Sequence, residues 1–473
     1  MMDTARTKPD GRVIPKQMDA PSENKVVLSW VGLTCAFLIG QAIQINNGHF
    51  HPLALGLVGL AVGASFVGVV FSKQSNELGN TRWLLAAIAA VLCLQFVQLF
   101  TAPPGIYLTL ISKSGYTIYY GFLAIAAFAV SGCLSRHPFW GKWTFKILAA
   151  AFLGLGVWII VSSPDPKIDV FVFYTQAARA VFNFHSPYAL SVPNIYGHTM
   201  FYDPALVSSG VLDIGFPYFP VTAIFAVPGY LLGDVRFAHL LAVLMAGIVI
   251  ALICPGPFGR AFASIYWFTP RGFFTIEQSW TEPFMVAGLA ICVWVYIVYR
   301  SLFGAALGML LSMKQSLLFV LPIGLMLTPS NPSDRFRFFI LLCASWLLLV
   351  VPWILADPDG FWHSVVALQF RQPFRPDALT VSALLSSSGV SPFSASVAFM
   401  FALLGLVFVL LKSARSAAAM CVSVNFVYLV FFALNKQAFC NYYYFIIGSA
   451  CVGAAAASRS VITHSGPNTN GQL

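Results

Sequence analysis

The sequence predicts an all-α fold, a polytopic transmembrane helix bundle of about 12 or 13 spans with interfacial helices in its outer loops. Three observations predict it. Hydrophobic residues make up 59% of the chain and charged residues only 9%, against about 25% charged in a soluble domain. Apolar runs of about 17 residues or more recur, each long enough for a hydrocarbon core of about 30 Å. The basic residues sit in short loops that alternate with neutral ones, the pattern of positive-inside topology. The net charge of +10 is therefore a topology signal, and no nucleic-acid partner is expected. Nine cysteines are scattered without a CxxC pair, so neither a disulfide framework nor a zinc site is implied.

Residues 1–24 are polar and read as a disordered cytoplasmic tail. The run 26–45 follows that tail without a small-residue cleavage site, so it reads as a retained helix. Further spans are expected at 53–72, 83–101, 116–135 and 145–162. From a cytoplasmic N-terminus, this count puts 46–52, 102–115 and 163–217 outside. Arg335, Arg337, Lys412, Arg415 and Arg459 then belong inside, which places 357–390 and 435–442 outside. Run 301–328 is interrupted by Lys314-Gln315 and reads as two short helices with Lys314 at the outer turn. Three apolar runs lie between 215 and 276, where parity allows only an even number of crossings, so one of them must return without crossing. Residues 459–473 read as a second cytoplasmic tail. No internal repeat of the kind common in secondary transporters is evident.

The densest polar chemistry follows the fifth span, in SPDPKIDVFVFYTQAARAVFNFHSPY from Ser163. At about 100° per residue, Val170, Phe173, Ala177, Ala180, Val181 and Phe184 form one stripe, with Asp169, Gln176, Arg179 and Asn183 on a neighbouring arc. This is an amphipathic interfacial helix over 168–184. Asp169 in its first turn is either a cap favoured by the helix dipole or a general base. Asp165, between two prolines, is its competitor for that role, or a solvated loop acid.

The order of motifs carries a resemblance. Asp169, the aromatic pair Phe173-Tyr174, Ala177-Ala178-Arg179-Ala180, Ser186-Pro187-Tyr188, Phe216-Pro217-Tyr218-Phe219-Pro220 and Gly233-Asp234-Val235-Arg236 follow one another. Trp280-Thr281-Glu282-Pro283, Lys314-Gln315 before Pro322, and Gln372-Pro373-Phe374-Arg375-Pro376-Asp377 come later. Over about residues 155–380 this resembles the GT-C superfamily of membrane glycosyltransferases, most closely the polyprenol-phosphate-mannose-dependent mannosyltransferases. Two departures stand out. The family's catalytic loop usually follows the first span, and here it follows the fifth. Phe219 also replaces the first proline of the family's Tyr-Pro-Pro.

The resemblance implies a GT-C-like catalytic domain at 146–458, preceded by extra helices at 25–145. It implies transfer of a hexose such as mannose from a polyprenyl-phosphate donor to a glycolipid or glycan acceptor, in a bacterial inner membrane, on the extracytoplasmic side. Asp169, or else Asp165, would be the base. Lys314, Arg371, Arg375 and Lys436 are candidates for the lipid phosphate, or snorkelling anchors. Gln315, Glu282, His185, Tyr188, Tyr218 and His363 are candidate substrate contacts. Asp165 and Asp169 with Glu282 could supply oxygens to a divalent cation, although no cofactor is required by the spacing. Rival readings are a lipid-linked glycan transporter or flippase, a glycan polymerase or ligase, and a non-enzymatic assembly factor.

Overall fold

The computed structural model describes residues 25–74, 81–109, 113–135, 137–197 and 201–464. The proposed tail at 1–24 lies outside these. Of the tail expected at 459–473, the residues up to His464 belong to the last helix, and the rest lie outside the described residues.

Five long helices open the chain: α1 (Lys25–Ile45), α2 (Pro52–Phe71), α3 (Thr81–Thr101), α4 (Lys113–Cys133) and α5 (Pro138–Ser162). Proline starts α2 and α5, where the missing N–H has no helical partner to lose. His51 and His137 cap these two helices by accepting the N–H groups of Leu53 and Trp140. Helix α5 begins well before position 145, so its first two turns carry exposed Trp140 and Trp143 beyond the apolar run. The amphipathic helix α6 (Asp169–Phe182) follows, with Val170, Phe173, Ala177 and Ala180 buried as the stripe requires. Phe184 departs from that stripe. The helix has ended, Phe184 takes φ +57°, and its ring is 97% exposed.

The next loop holds the only sheet among the described residues. It has three short antiparallel strands, β1 (Val192–Pro193), β2 (Val207–Ser208) and β3 (Val211–Leu212), in the order β1-β3-β2. Helix α7 (Pro220–Leu231) has 12 residues, about 18 Å at 1.5 Å each, too short for a core of about 30 Å. It leads to Arg236, whose Nη2 donates to Ile160 O at 3.1 Å beside the end of α5. Both ends of α7 therefore lie at one end of the bundle, and α7 is the apolar run that returns. Helix α8 (Arg236–Ile253) crosses, and α9 (Pro257–Trp267) with α10 (Gly272–Glu277) comes back.

Helix α11 (Glu282–Val298) and helix α12 (Phe303–Leu311) form a hairpin that ends at Lys314. A 3-10 turn at Gln315–Phe319 leads into α13 (Val320–Leu325), then α14 (Pro332–Ala356). Short helices α15 (Pro358–Phe361), α16 (Leu368–Arg371) and α17 (Val381–Ser387) occupy the following loop. The chain closes with α18 (Ala395–Lys412), α19 (Ala417–Leu434) and α20 (Cys440–His464).

Nine helices among the described residues are long and apolar enough to cross a membrane. The higher count from sequence included the shorter apolar helices around Lys314, such as α11 and α12. Broad apolar faces on α14 and α18 stay exposed, including Leu348, Leu355, Leu404 and Leu411. Soluble monomers rarely expose such contiguous surface, so the bundle fits an integral membrane protein. The leading helices are woven into it. Helix α1 packs along α20, α2 along α19 and α3 against α9.

The basic loops also pair up. Lys73 reaches Leu411 O, Arg260 reaches Cys133 O and Ser135 O, and Arg459 reaches Ile253 O. The loops that the charge pattern assigns to the opposite side gather at the other end.

Candidate functional site

At that end a chamber of about 340 Å³ opens beside the start of α6. Asp169 is on its wall because Ile168, in extended conformation, swings the chain into the helix. Tyr202 donates its phenolic hydroxyl to Asp169 Oδ2. Tyr196 donates to Oδ1 at 3.2 Å, and Val170 N–H donates to Oδ1 at 2.7 Å. Burial pushes the Asp169 carboxyl above its ordinary value, more than these hydrogen bonds and the Arg375 charge pull it down. Burial and the neighbouring Asp169 charge push the Tyr202 and Tyr196 phenols up, so both remain donors at neutral pH.

Across the chamber, Arg375 makes two hydrogen bonds to Asp377, at 2.8 and 2.7 Å. Its guanidinium lies 3.9 Å from the Phe201 ring centroid and 4.9 Å from that of Phe439. His49 Nδ1 stands 3.3 Å from the same Asp377. Burial alone would raise the Asp377 carboxyl, but His49 and Arg375 outweigh it and hold it well below the usual carboxylate range.

Lys314 and Glu282 form a buried ion pair, with Nζ to Oε1 at 2.6 Å and the two side chains 9% and 2% exposed. Asn441 also donates to Glu282 Oε1, at 3.2 Å. The Lys314 ammonium sits 5.1 Å from the Tyr218 ring and 5.2 Å from the Tyr442 ring. Tyr218 and Tyr442 line the Asp169 chamber, while Lys314 and Tyr442 line a second cavity of about 460 Å³. That second cavity is polar at one end, with Lys314, Gln315 and Lys436, and apolar beyond, with Leu318, Phe319 and Phe431. It runs on over Phe399 and Leu403 into an apolar groove along α18 that reaches Val407.

The leading helices supply part of the chamber. Asn47 and His49 come from the α1–α2 loop, and Ile106 and Tyr107 from the α3–α4 loop. Gly48 has φ +76°, and a Cβ there would collide with the backbone of Cys440. Fully buried Glu277 holds the other loop. Its carboxylate accepts Ile106 N–H, Tyr107 N–H, the Ser163 hydroxyl and the Gln278 amide.

The sequence candidates separate in the structure. Asp169 and Tyr218 line the chamber with Arg375, and Glu282 and Lys314 stand between the two cavities. Gln315 donates to Pro217 O and Val365 O, joining two loops beside the second cavity. Arg371 lies farther out, with Arg375, in a third cavity. Asp165 is not in the chamber. It pairs with Lys167 in solvent, because its proline-flanked turn precedes the helix that carries Asp169 inward. His185 is exposed beyond the end of α6. Tyr188 is buried as packing, donating to Tyr218 O against the Phe361 ring. His363 bonds Asp213 O and ties two loops together. Lys436 donates to the carbonyls of Gln369, Phe370 and Gln372 and so caps α16. Among the described residues no group of three His, Cys, Asp or Glu side chains is placed to hold a metal, so Asp165, Asp169 and Glu282 form no such cluster.

Residues that sequence reasoning missed are Tyr196, Tyr202, Asp377, His49 and Tyr107. The Tyr202-Asp203-Pro204 triplet was a visible polar loop signal. The others owe their place to contacts between distant loops. No family model matches this chain, and no curated protein or solved structure matches it either.

Proposed function

We propose that this protein is a membrane glycosyltransferase. It would move a hexose from a polyprenyl-phosphate donor to a glycan or glycolipid acceptor on the extracytoplasmic side. The observation that carries the reading is one junction. A carboxyl raised above its ordinary value faces a polar chamber, and a buried lysine separates that chamber from a long apolar groove. The groove has the length and polarity for a lipid chain, and its polar end suits a phosphate. One Lys314 proton is engaged by Glu282, and an ammonium has three donors, leaving others for a phosphate oxygen.

The chemistry balances on these residues. An acceptor hydroxyl attacks the anomeric carbon, forming the new C–O bond as the bond from that carbon to the phosphate oxygen breaks. The electron pair leaves with polyprenyl phosphate, and the hydroxyl proton passes to Asp169. A raised carboxyl holds that proton better, and general-base help is worth about 10²–10⁴-fold.

The test is Asp169→Asn in purified full-length protein supplied with radiolabelled polyprenyl-phosphate hexose. Transfer is expected to fall by at least about 100-fold. Full activity would remove Asp169 as the base. Transbilayer movement of intact donor, with no sugar released, would instead establish a carrier.

A further inference from the structure

A vestibule of about 650 Å³ adjoins the Asp169 chamber. The two share Phe201, Tyr202, Arg375 and Asp377, so these side chains stand where the chamber and the vestibule meet. We propose that this vestibule is the acceptor subsite, and that it takes an uncharged saccharide whose hydroxyl displaces the Tyr202 hydroxyl from Asp169. The inference rests on the glycosyl-transfer reading above and specifies the acceptor's class and direction of approach.

Tyr202 marks the direction. Its phenol already donates an O–H to Asp169 Oδ2, the bond an acceptor hydroxyl must make before it can surrender its proton. Tyr202 also lines the vestibule, so a hydroxyl arriving from that side meets the carboxylate where the phenol now sits. The donor cavity meets the chamber at Gln437 and Tyr442 and the vestibule meets it at Phe201, Tyr202, Arg375 and Asp377, so the two substrates would enter past different residues.

The lining marks the class. Two guanidinium groups, Arg371 and Arg375, face two carboxylates, Asp203 and Asp377. This balance favours a neutral ligand over a polyanion. Arg375 and Asp377 are spent on each other, whereas Arg371 is exposed and makes no ion pair among the described residues. Asp203 uses Oδ1 to cap Ala205 N–H at 3.0 Å, which leaves Oδ2 as an acceptor. Free donors, a free acceptor and the Phe374 ring are what a polyhydroxylated ring with apolar C–H faces requires.

The experiment uses the full chain in detergent with radiolabelled polyprenyl-phosphate mannose. The acceptor probes are octyl mannoside, octyl glucoside and octyl mannoside 6-phosphate. The expected result is transfer to a neutral octyl hexoside, with the acceptor KM raised at least about tenfold in Arg371→Ala and in Phe374→Ala. The donor KM and kcat are expected to stay within about twofold in both variants. The proposal is overturned if the acceptor KM is unmoved in both variants, if kcat falls while KM holds, or if the phosphorylated probe has the lower KM. Donor hydrolysis without transfer to either neutral hexoside overturns the saccharide subsite and leaves the donor chemistry standing. A wild-type chain that consumes no donor overturns the glycosyl-transfer reading, and this inference with it.

Discussion

Glu277 accepts the backbone N–H of Tyr107 at 3.0 Å, although 170 residues separate them in sequence. This bond fastens the loop between α3 and α4 to the end of α10, and the same carboxylate also accepts the Ser163 hydroxyl at the end of α5. It makes the leading helices part of the wall around Asp169.

Removing the Glu277 carboxylate strands the N–H groups of Ile106 and Tyr107. Glu277→Ala is expected to cost about 3 kcal/mol, read from unfolding in detergent, with faster amide exchange at 106 and 107. Gly105→Ala should produce the same exchange signature, since a Cβ there would land in the Glu277 carboxylate. Unchanged exchange in both variants would show that the loop is held elsewhere.

The Lys314–Glu282 pair separates structural from functional roles. Lys314→Met alone leaves a buried carboxylate unpaired and is expected to cost about 3–5 kcal/mol. Adding Glu282→Leu should restore most of that stability while donor turnover stays lost. Recovery of turnover in the double variant would mean that Lys314 serves the fold alone.

In the proposed reaction Asp169 would act as a base only when deprotonated. Its carboxyl is raised, so the acid limb of kcat/KM is expected above the ordinary aspartate value of about 3.9. The Tyr202 hydrogen bond favours the charged form. Tyr202→Phe therefore lifts the carboxyl further and should move the limb to higher pH. Arg375→Gln should move it the same way, because a positive charge is lost. A pH–rate profile that does not shift in either variant would assign the limb to another group.

The groove along α18 offers a steric test. Leu403 lines both the second cavity and its extension. Leu403→Trp should raise the KM for a long polyprenyl donor by about tenfold while sparing a short-chain analogue. Equal effects on both donors would place the lipid chain elsewhere.

Much of this was readable in order along the chain. Apolar run length located the long helices, and loop charge sorted the loops into two ends. The 3.6-residue stripe around Asp169 described α6 until Phe184, where the left-handed turn breaks the periodicity. Lys314 at a turn was legible because a lysine interrupts an otherwise apolar run. That Glu282 is its partner was not, since the pair joins the tips of two helices through packing alone.

The sequence by itself determined the class of protein, which loops gather at the same end of the bundle and the carboxylate that opens α6. These depend on local composition and periodicity. Only the tertiary structure decided that α7 returns, that Asp165 stays in solvent, and that Tyr196, Tyr202 and Tyr107 surround Asp169. Those outcomes depend on which loop tips meet when the helices pack, and the pairing of distant helices leaves no periodic trace in the chain.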